Sequence, residues 1–200
     1  MNDLRSIPAY LMRGGTSKGL VFHKKDLPND RNLLTEYLLK IMGSPDIRQI
    51  NGIGGGTSVT SKVCIISKSL EKNVDIDYFF AQVEVDRKHV DYAPTCGNML
   101  SALGPFAIEE GLVETHNEIT QVSVKSINTD AFITLDVPTP DGKLKYSGDF
   151  KIDGVPGTGS QILMNFNNLE GKITGNLFPT GNIVDTFDGV KVTCFDLATS

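Results

Sequence analysis

Residues 92–108 read YAPTCGNMLSALGPFAI, a stretch without a single charged side chain. From Asn98 to Glu110 the apolar residues Met99, Leu103, Phe106 and Ala107 recur at helical spacing along one stripe, and most positions between them are small or apolar as well. A helix lying on a surface would carry a polar face. This one has none of any width, so the pattern predicts a central helix over 98–110 that is enclosed on most sides, with a kink at Pro105.

On both sides of this helix the chain reads mainly as strand and turn. Ile7 to Arg13 is apolar and extended, breaks at Gly14-Gly15, and resumes at Gly19 to Phe22, which predicts two strands joined by the loop RGGTSKG. Asp30 is placed to cap a helix bearing Leu34, Tyr37, Leu38 and Ile41, and Gly43 stands where a C-terminal glycine belongs. The stretch Asn51 to Thr57 is too glycine-rich to be regular. In Ser61 to Ser67, Lys62, Cys64 and Ile66 alternate with Val63 and Ile65, so Lys62 opens a strand. Between Val74 and Val85 the apolar alternation changes phase at Phe79-Phe80, which predicts a bulge or a sharp bend. Further alternations at Val122/Val124, Ala131/Ile133/Leu135, Ile162/Met164/Phe166 and Val190/Val192/Cys194 add strands, with a hairpin signal at Asp141-Gly142. Many strands and two helices predict an α+β fold.

Two hundred residues with 19 basic and 24 acidic side chains carry a formal charge of −5, and 40% of them are hydrophobic, which is the composition of a soluble globular chain and excludes disordered and fibrous classes. The longest apolar run is four residues, as at Val63 to Ile66, against roughly 20 for a membrane span. Cys64, Cys96 and Cys194 are odd in number and widely spaced, which fits a reducing cytoplasm, and none completes a metal site. An acidic chain without a basic stripe is a poor partner for nucleic acid, so a small ligand is expected. Neither GxxxxGK[ST] nor GxGxxG matches the glycine clusters, no HExxH or carboxylate cluster is present, and His23, His89 and His116 read as solvated. A boundary is expected near Pro179-Thr180-Gly181, after which a new strand begins and the chain reads as truncated.

Segments 11–22, 51–66 and 92–108 together hold Arg13, Lys18 and Lys62 and no acid, a charge of +3 against 16 basic and 24 acidic residues elsewhere. Brought together, they would form a positive, glycine-lined pocket suited to a small polycarboxylate. Cys96 stands at the expected start of the enclosed helix, where free amides and the helix dipole favour a thiolate and can bind a carboxylate; packing is the alternative reading. Lys62 shares a strand face with Cys64 and Ile66. It reads either as a desolvated general base lining a cleft or as a strand-end lysine reaching for water.

Together, MRGGTSKGLVF at 12–22, GIGGGTSVTSK at 52–62, VDYAPTCGN at 90–98, GVPGTGS at 154–160 and FPTG at 178–181 resemble the PrpF family, which includes methylaconitate and aconitate isomerases, methylitaconate delta-isomerase and 4-oxalomesaconate tautomerase. The resemblance implies one lobe of a diaminopimelate epimerase-like fold, a curved and mostly antiparallel sheet around the central helix, over residues 1–184, with 185–200 opening a second lobe. It implies cofactor-independent proton transfer in an unsaturated di- or tricarboxylate, with Lys62 as principal acid/base and Cys96 as a second candidate. Ser17 and Lys18 would meet one substrate carboxylate and the amides of Gly97, Asn98 and Met99 another, with Arg13, Ser61 and Gln82 lining the cleft. A second lobe or a second copy of the chain would complete the site. The competing expectations are a non-catalytic carboxylate-binding or accessory protein and an amino-acid epimerase.

Overall fold

The computed structural model describes residues 5–167, 170–171 and 173–197. In chain order these form β1 (Tyr10–Gly14), β2 (Ser17–His23), α1 (Arg31–Met42), β3 (Lys62–Lys68), β4 (Ile76–Val83), β5 (Val90–Asp91), α2 (Gly97–Glu109), β6 (Glu118–Ser126), β7 (Phe132–Thr139), β8 (Leu163–Asn167), β9 (Asp185–Phe187) and β10 (Val190–Val192). Two compact units result, Met1–Asn165 and Phe166–Ser200.

The first unit is built on a mixed sheet of order β1-β2-β3-β4-β6-β7-β8, with β5 beside the far end of β4. The β2–β3 and β4–β6 pairings are parallel; β1–β2, β3–β4, β4–β5 and β6–β7 are antiparallel. Along β2, β3 and β4 side chains alternate between two apolar cores. Val21, Cys64, Ile66, Tyr78 and Phe80 join α2 in one, whereas Leu20, Phe22, Val63, Ile65, Ala81 and Val83 join α1 in the other. The central strands are therefore buried on both faces, with one helix on each.

Contacts of α2 show that the sheet curls around it. Strands β1 and β7 stand five places apart in the sheet order, about 24 Å if the sheet were flat at about 4.8 Å per step. Both nevertheless touch a helix only about 10–12 Å across. The Tyr10 ring packs edge-on against Phe106 at 5.3 Å, and a Cβ on Gly104 would fall 2.5 Å from Val137. The expected enclosed helix and the α+β curved sheet are thus observed, and α2 runs as one element through Pro105, with eight of its thirteen residues buried.

The expected α1 is present with its caps: Asp30 accepts a hydrogen bond from the Leu33 amide at 2.8 Å, and Gly43, at φ 85°, returns its N–H to Leu39. Its buried stripe is Leu34, Leu38, Leu39 and Met42. Asp141 and Gly142 both adopt positive φ and turn the chain back after β7.

Two expectations are corrected. RGGTSKG is not a loop: Arg13 and Gly14 end β1, Ser17 to Gly19 begin β2, and only Gly15-Thr16 turns. No bulge interrupts β4 either, since its register against β3 is unbroken from Lys62↔Gln82 to Lys68↔Ile76. The phase change has another cause. Ile76, Tyr78 and Phe80 face the α2 core, that core ends at Gln82, and burial passes to Ala81 and Val83 on the α1 side. At the same point β4 changes neighbour, from β6 at Ile76–Tyr78 to β5 at Gln82–Val83, with the Asn128 carboxamide bonding the Phe80 N–H and C=O between them.

In the second unit β9 and β10 pair antiparallel, and the Asp196 carboxylate collects the Ile173 and Thr174 amides and the Thr174 hydroxyl, which hold its carboxyl below the usual range. The last three residues of the 185–200 stretch lie outside the described residues. No helix among the described residues is long and apolar enough to cross a membrane.

Candidate active site

The β1–β2 turn lies directly on the N-terminus of α2. A Cβ on Gly14 would fall 2.3 Å from the Asn98 carbonyl, and Gly15, at φ 51°, would place one 2.2 Å from Asn98 Oδ1. Two glycines are what allow this approach. Asn98 fastens the turn by accepting from the Thr16 amide at 3.4 Å and donating to the Thr16 hydroxyl at 3.0 Å. Cys96 occupies the N-cap of α2 but makes no capping hydrogen bond through its side chain. The opening amides at Gly97, Asn98 and Met99 therefore carry the positive end of the helix dipole without a side-chain acceptor from the cap.

Ser17, Lys62 and Gln82 share the sheet face that packs on α2, since Ser17 alternates with Gly19 and Val21, Lys62 with Cys64, and Gln82 with Phe80. Gly19 is the register partner of Lys62, and a Cβ there would fall 3.0 Å from the lysine Cβ. The half-buried Lys62 donates from Nζ to Gln82 Oε1 at 2.6 Å, and its Nζ stands 5.3 Å from the centroid of the buried Phe80 ring. Ser17 is only 2% exposed, yet its hydroxyl has no hydrogen-bond partner among the described residues, which is costly unless something else supplies one.

Below this rim, Tyr78 is fully buried and its hydroxyl donates to the Cys96 carbonyl at 3.4 Å. Burial, with the nearby Cys96 sulfur, pushes the Cys64 thiol up, and burial does the same to the Tyr78 phenol. Cys64 is thus an inert packing residue. Cys96 stands higher, at 9% exposure on the helix end.

Comparison with known proteins matches the model of the PrpF protein family over residues 4–200. The chain belongs to the PrpF family. It is 50% identical over 190 residues to a 4-oxalomesaconate tautomerase of Pseudomonas putida, covering 95% of this chain and 53% of that protein. It is 45% identical over 191 residues to a 3-methylitaconate isomerase of Eubacterium barkeri, covering 96% of this chain and 50% of the relative. The crystal structure of a methylitaconate-delta-isomerase superposes with a TM-score of 0.88 at 44% identity, covering 96% of this chain and 50% of that one. The chain therefore spans about half the length of the relatives it matches.

In this PrpF-family chain the three acid-free segments do converge, through Gly14 on Asn98 and Gly19 on Lys62. Their charges converge only in part. Lys18 is exposed on the face opposite Ser17, Lys62 is on the α2 side, and Arg13, exposed across from Lys18, lines a cavity with Asn98, Ser101 and Ala102 of α2. Arg13 instead donates to the Gly15 carbonyl at 2.7 Å. Ser61 is a scaffold residue and does not line a cleft: it is fully buried, donating to the Val83 carbonyl and accepting from Gln49 Nε2. Met99 sends its side chain into the core, leaving its amide as its contribution. His23 is not simply solvated, because Nε2 lies 2.5 Å from the Glu110 carboxylate at the far end of α2, where the Tyr10 hydroxyl also donates.

Sequence reading missed Gln49 altogether. It is fully buried at φ 48°, bonds Ser44 and Ser61 through Nε2, and accepts the Gly56 amide, so one side chain organises the irregular 43–61 segment. A single polar residue in a glycine-rich stretch has no periodicity to announce it. Tyr78 was visible only as one member of an apolar alternation.

Proposed function

We propose that this chain carries the acid/base wall of a cofactor-independent isomerase or tautomerase acting on an unsaturated di- or tricarboxylate. The observation that carries the reading is the placement of Lys62. Its amine is held at the rim of the α2 core, on the same sheet face as the Ser17 hydroxyl, and the helix packed on that face opens with amides that the Cys96 side chain does not cap. Those parts suit one reaction. Lys62 removes a proton allylic to a carboxylate, worth typically 10²- to 10⁴-fold as general-base catalysis. Amides at Gly97, Asn98 and Met99, with Ser17, receive the negative charge that spreads into the substrate carboxylate as the double bond moves. Lys62, or Cys96 as the second candidate, returns the proton at the new position. Relatives named for oxalomesaconate and methylitaconate support this substrate class. The facing wall comes from a second lobe or a second copy of the chain, and the three free thiols suit the reducing cytoplasm.

The test is proton NMR of the chain in D₂O with cis-aconitate, trans-aconitate and 2-methylitaconate, beside Lys62→Ala whose folding is verified by circular dichroism. Solvent deuterium entering the substrate with the wild type and not with the variant is expected. Equal exchange in both proteins, or none with the wild type, overturns the reading.

A further inference from the structure

The side chain that holds Lys62 is itself held. Gln82 stands directly across from Lys62 in the β3–β4 register, and its Nε2 donates to two backbone carbonyls, Ser61 at 2.9 Å and Ser58 at 3.1 Å. Both are acceptors only, so the carboxamide cannot rotate by half a turn without setting oxygen against oxygen and NH₂ against the amine. The end facing Lys62 Nζ is therefore always the oxygen. Each carbonyl is fixed in turn. Ser61 also accepts the Val83 amide at 3.1 Å and is anchored by its own hydroxyl and by Gln49. Ser58 begins a single 3-10 turn, Ser58–Thr60, closed by reciprocal bonds between Thr57 and Thr60.

We propose that Gln82 is the positioning residue of the catalytic lysine: its locked carboxamide holds Nζ at the rim of the α2 core while contributing no charge. This rests on the reading of Lys62 as the acid/base group. A carboxylate at the same place would bind the amine's proton in an ion pair, and its second oxygen would face the Ser58 and Ser61 carbonyls with no proton to donate, whereas a base must give its proton up. A neutral acceptor locates the nitrogen and leaves its protonation free to change. It also takes one N–H of the amine in a known direction, so the remaining valences point away from Gln82, and the Phe80 ring closes the apolar side below.

The test compares Gln82→Glu and Gln82→Leu with the wild type in two readouts. In the D₂O exchange assay, Gln82→Glu, its folding verified by circular dichroism, is expected to move the acidic limb of the pH–rate profile upward by about one pH unit or more, costing about tenfold at neutral pH and recovering in alkali. Gln82→Leu loses rate at every pH without that recovery. The second readout needs no turnover: side-chain NMR of ¹³C-labelled lysine in the full chain, with the Lys62 signal assigned by its disappearance in Lys62→Ala. There the Lys62 titration is expected to shift upward in Gln82→Glu. An unshifted Lys62 titration in a folded Gln82→Glu protein overturns the inference. Loss of the proposed activity reading is seen separately, as a wild-type chain without exchange or a Lys62→Ala variant with it.

Discussion

Replacing Gln49 with alanine measures how much of the site's framework one buried side chain supports. Gln49 makes three hydrogen bonds through its carboxamide, to the Ser44 and Ser61 hydroxyls and from the Gly56 amide, all at 2.7–3.0 Å and with the residue fully buried. At about 1 kcal/mol net for each, the truncation costs about 3 kcal/mol, and the Gly56 amide left without its acceptor keeps the value from falling much lower. With a urea dependence on the order of 2 kcal/mol/M, that is a fall of about 1.5 M in the unfolding midpoint. The chain has no tryptophan, so far-UV circular dichroism is the suitable probe. Gln49→Gly separates two causes. It removes the same bonds but relieves the positive φ of 48°, which costs a non-glycine residue about 1 kcal/mol, so it should lie about 1 kcal/mol above the alanine variant. A Gln49→Ala midpoint within experimental error of the wild type would refute the reasoning. So would a Gln49→Gly protein as stable as the wild type, because backbone strain would then have cancelled the hydrogen bonds.

Gly14→Ala sets a methyl 2.3 Å from the Asn98 carbonyl, where backbone meets backbone; it should cost about 1–3 kcal/mol by urea unfolding and lift the turn from α2, seen as faster hydrogen exchange at Thr16. Leu103→Ala, at a fully buried position in the core around α2, should cost about 2–5 kcal/mol in the same assay. The Glu110 carboxyl is held below its usual range, first by the Tyr10 hydroxyl and then by His23. Its contribution is therefore complete above the ordinary glutamate value and is lost as pH falls through the lowered one. The stability gap between wild type and Glu110→Gln should accordingly narrow from about pH 5 downward, and a gap that is constant with pH would contradict the assignment.

What could be read from the sequence was whatever repeats along one element. The enclosed helix, the capped helix at 31–42 and the strand opened by Lys62 each declare themselves through several residues at a fixed spacing, and all three are present. The errors came where two influences meet in one residue. Phe79-Phe80 reads as a bulge because a single strand passes from one core to the other, which breaks the alternation while the ladder continues. RGGTSKG reads as a loop because its glycines suggest flexibility, whereas Gly14 and Gly19 are strand residues kept small by Asn98 and Lys62. Charge was the least legible quantity. Arg13, Lys18 and Lys62 are neighbours in segments that converge, but strand alternation turns Lys18 to the face opposite Lys62, and Arg13 lies in a cavity beside Asn98 and Ser101.

The position of the site follows from the limits of the α2 core. Along β3 and β4 the face toward α2 is closed to water from Ile66 and Tyr78 up to Cys64 and Phe80, and one step further the same face presents Lys62 and Gln82. An amine placed one step lower, among Cys64, Tyr78 and Phe80, would lose its hydration with no acceptor free to replace it, a cost of several kcal/mol. One step higher it would be an ordinary solvated lysine. At the rim it is half-buried, meets one neutral acceptor and an aromatic ring, and stands on the face where the Ser17 hydroxyl lacks a partner. The helix begins with Cys96 at its N-cap position, uncapped by the side chain, and the Cys96 carbonyl accepts from the Tyr78 hydroxyl. The proposed base and the proposed charge-receiving amides thus both stand at the edge of the apolar interior around α2.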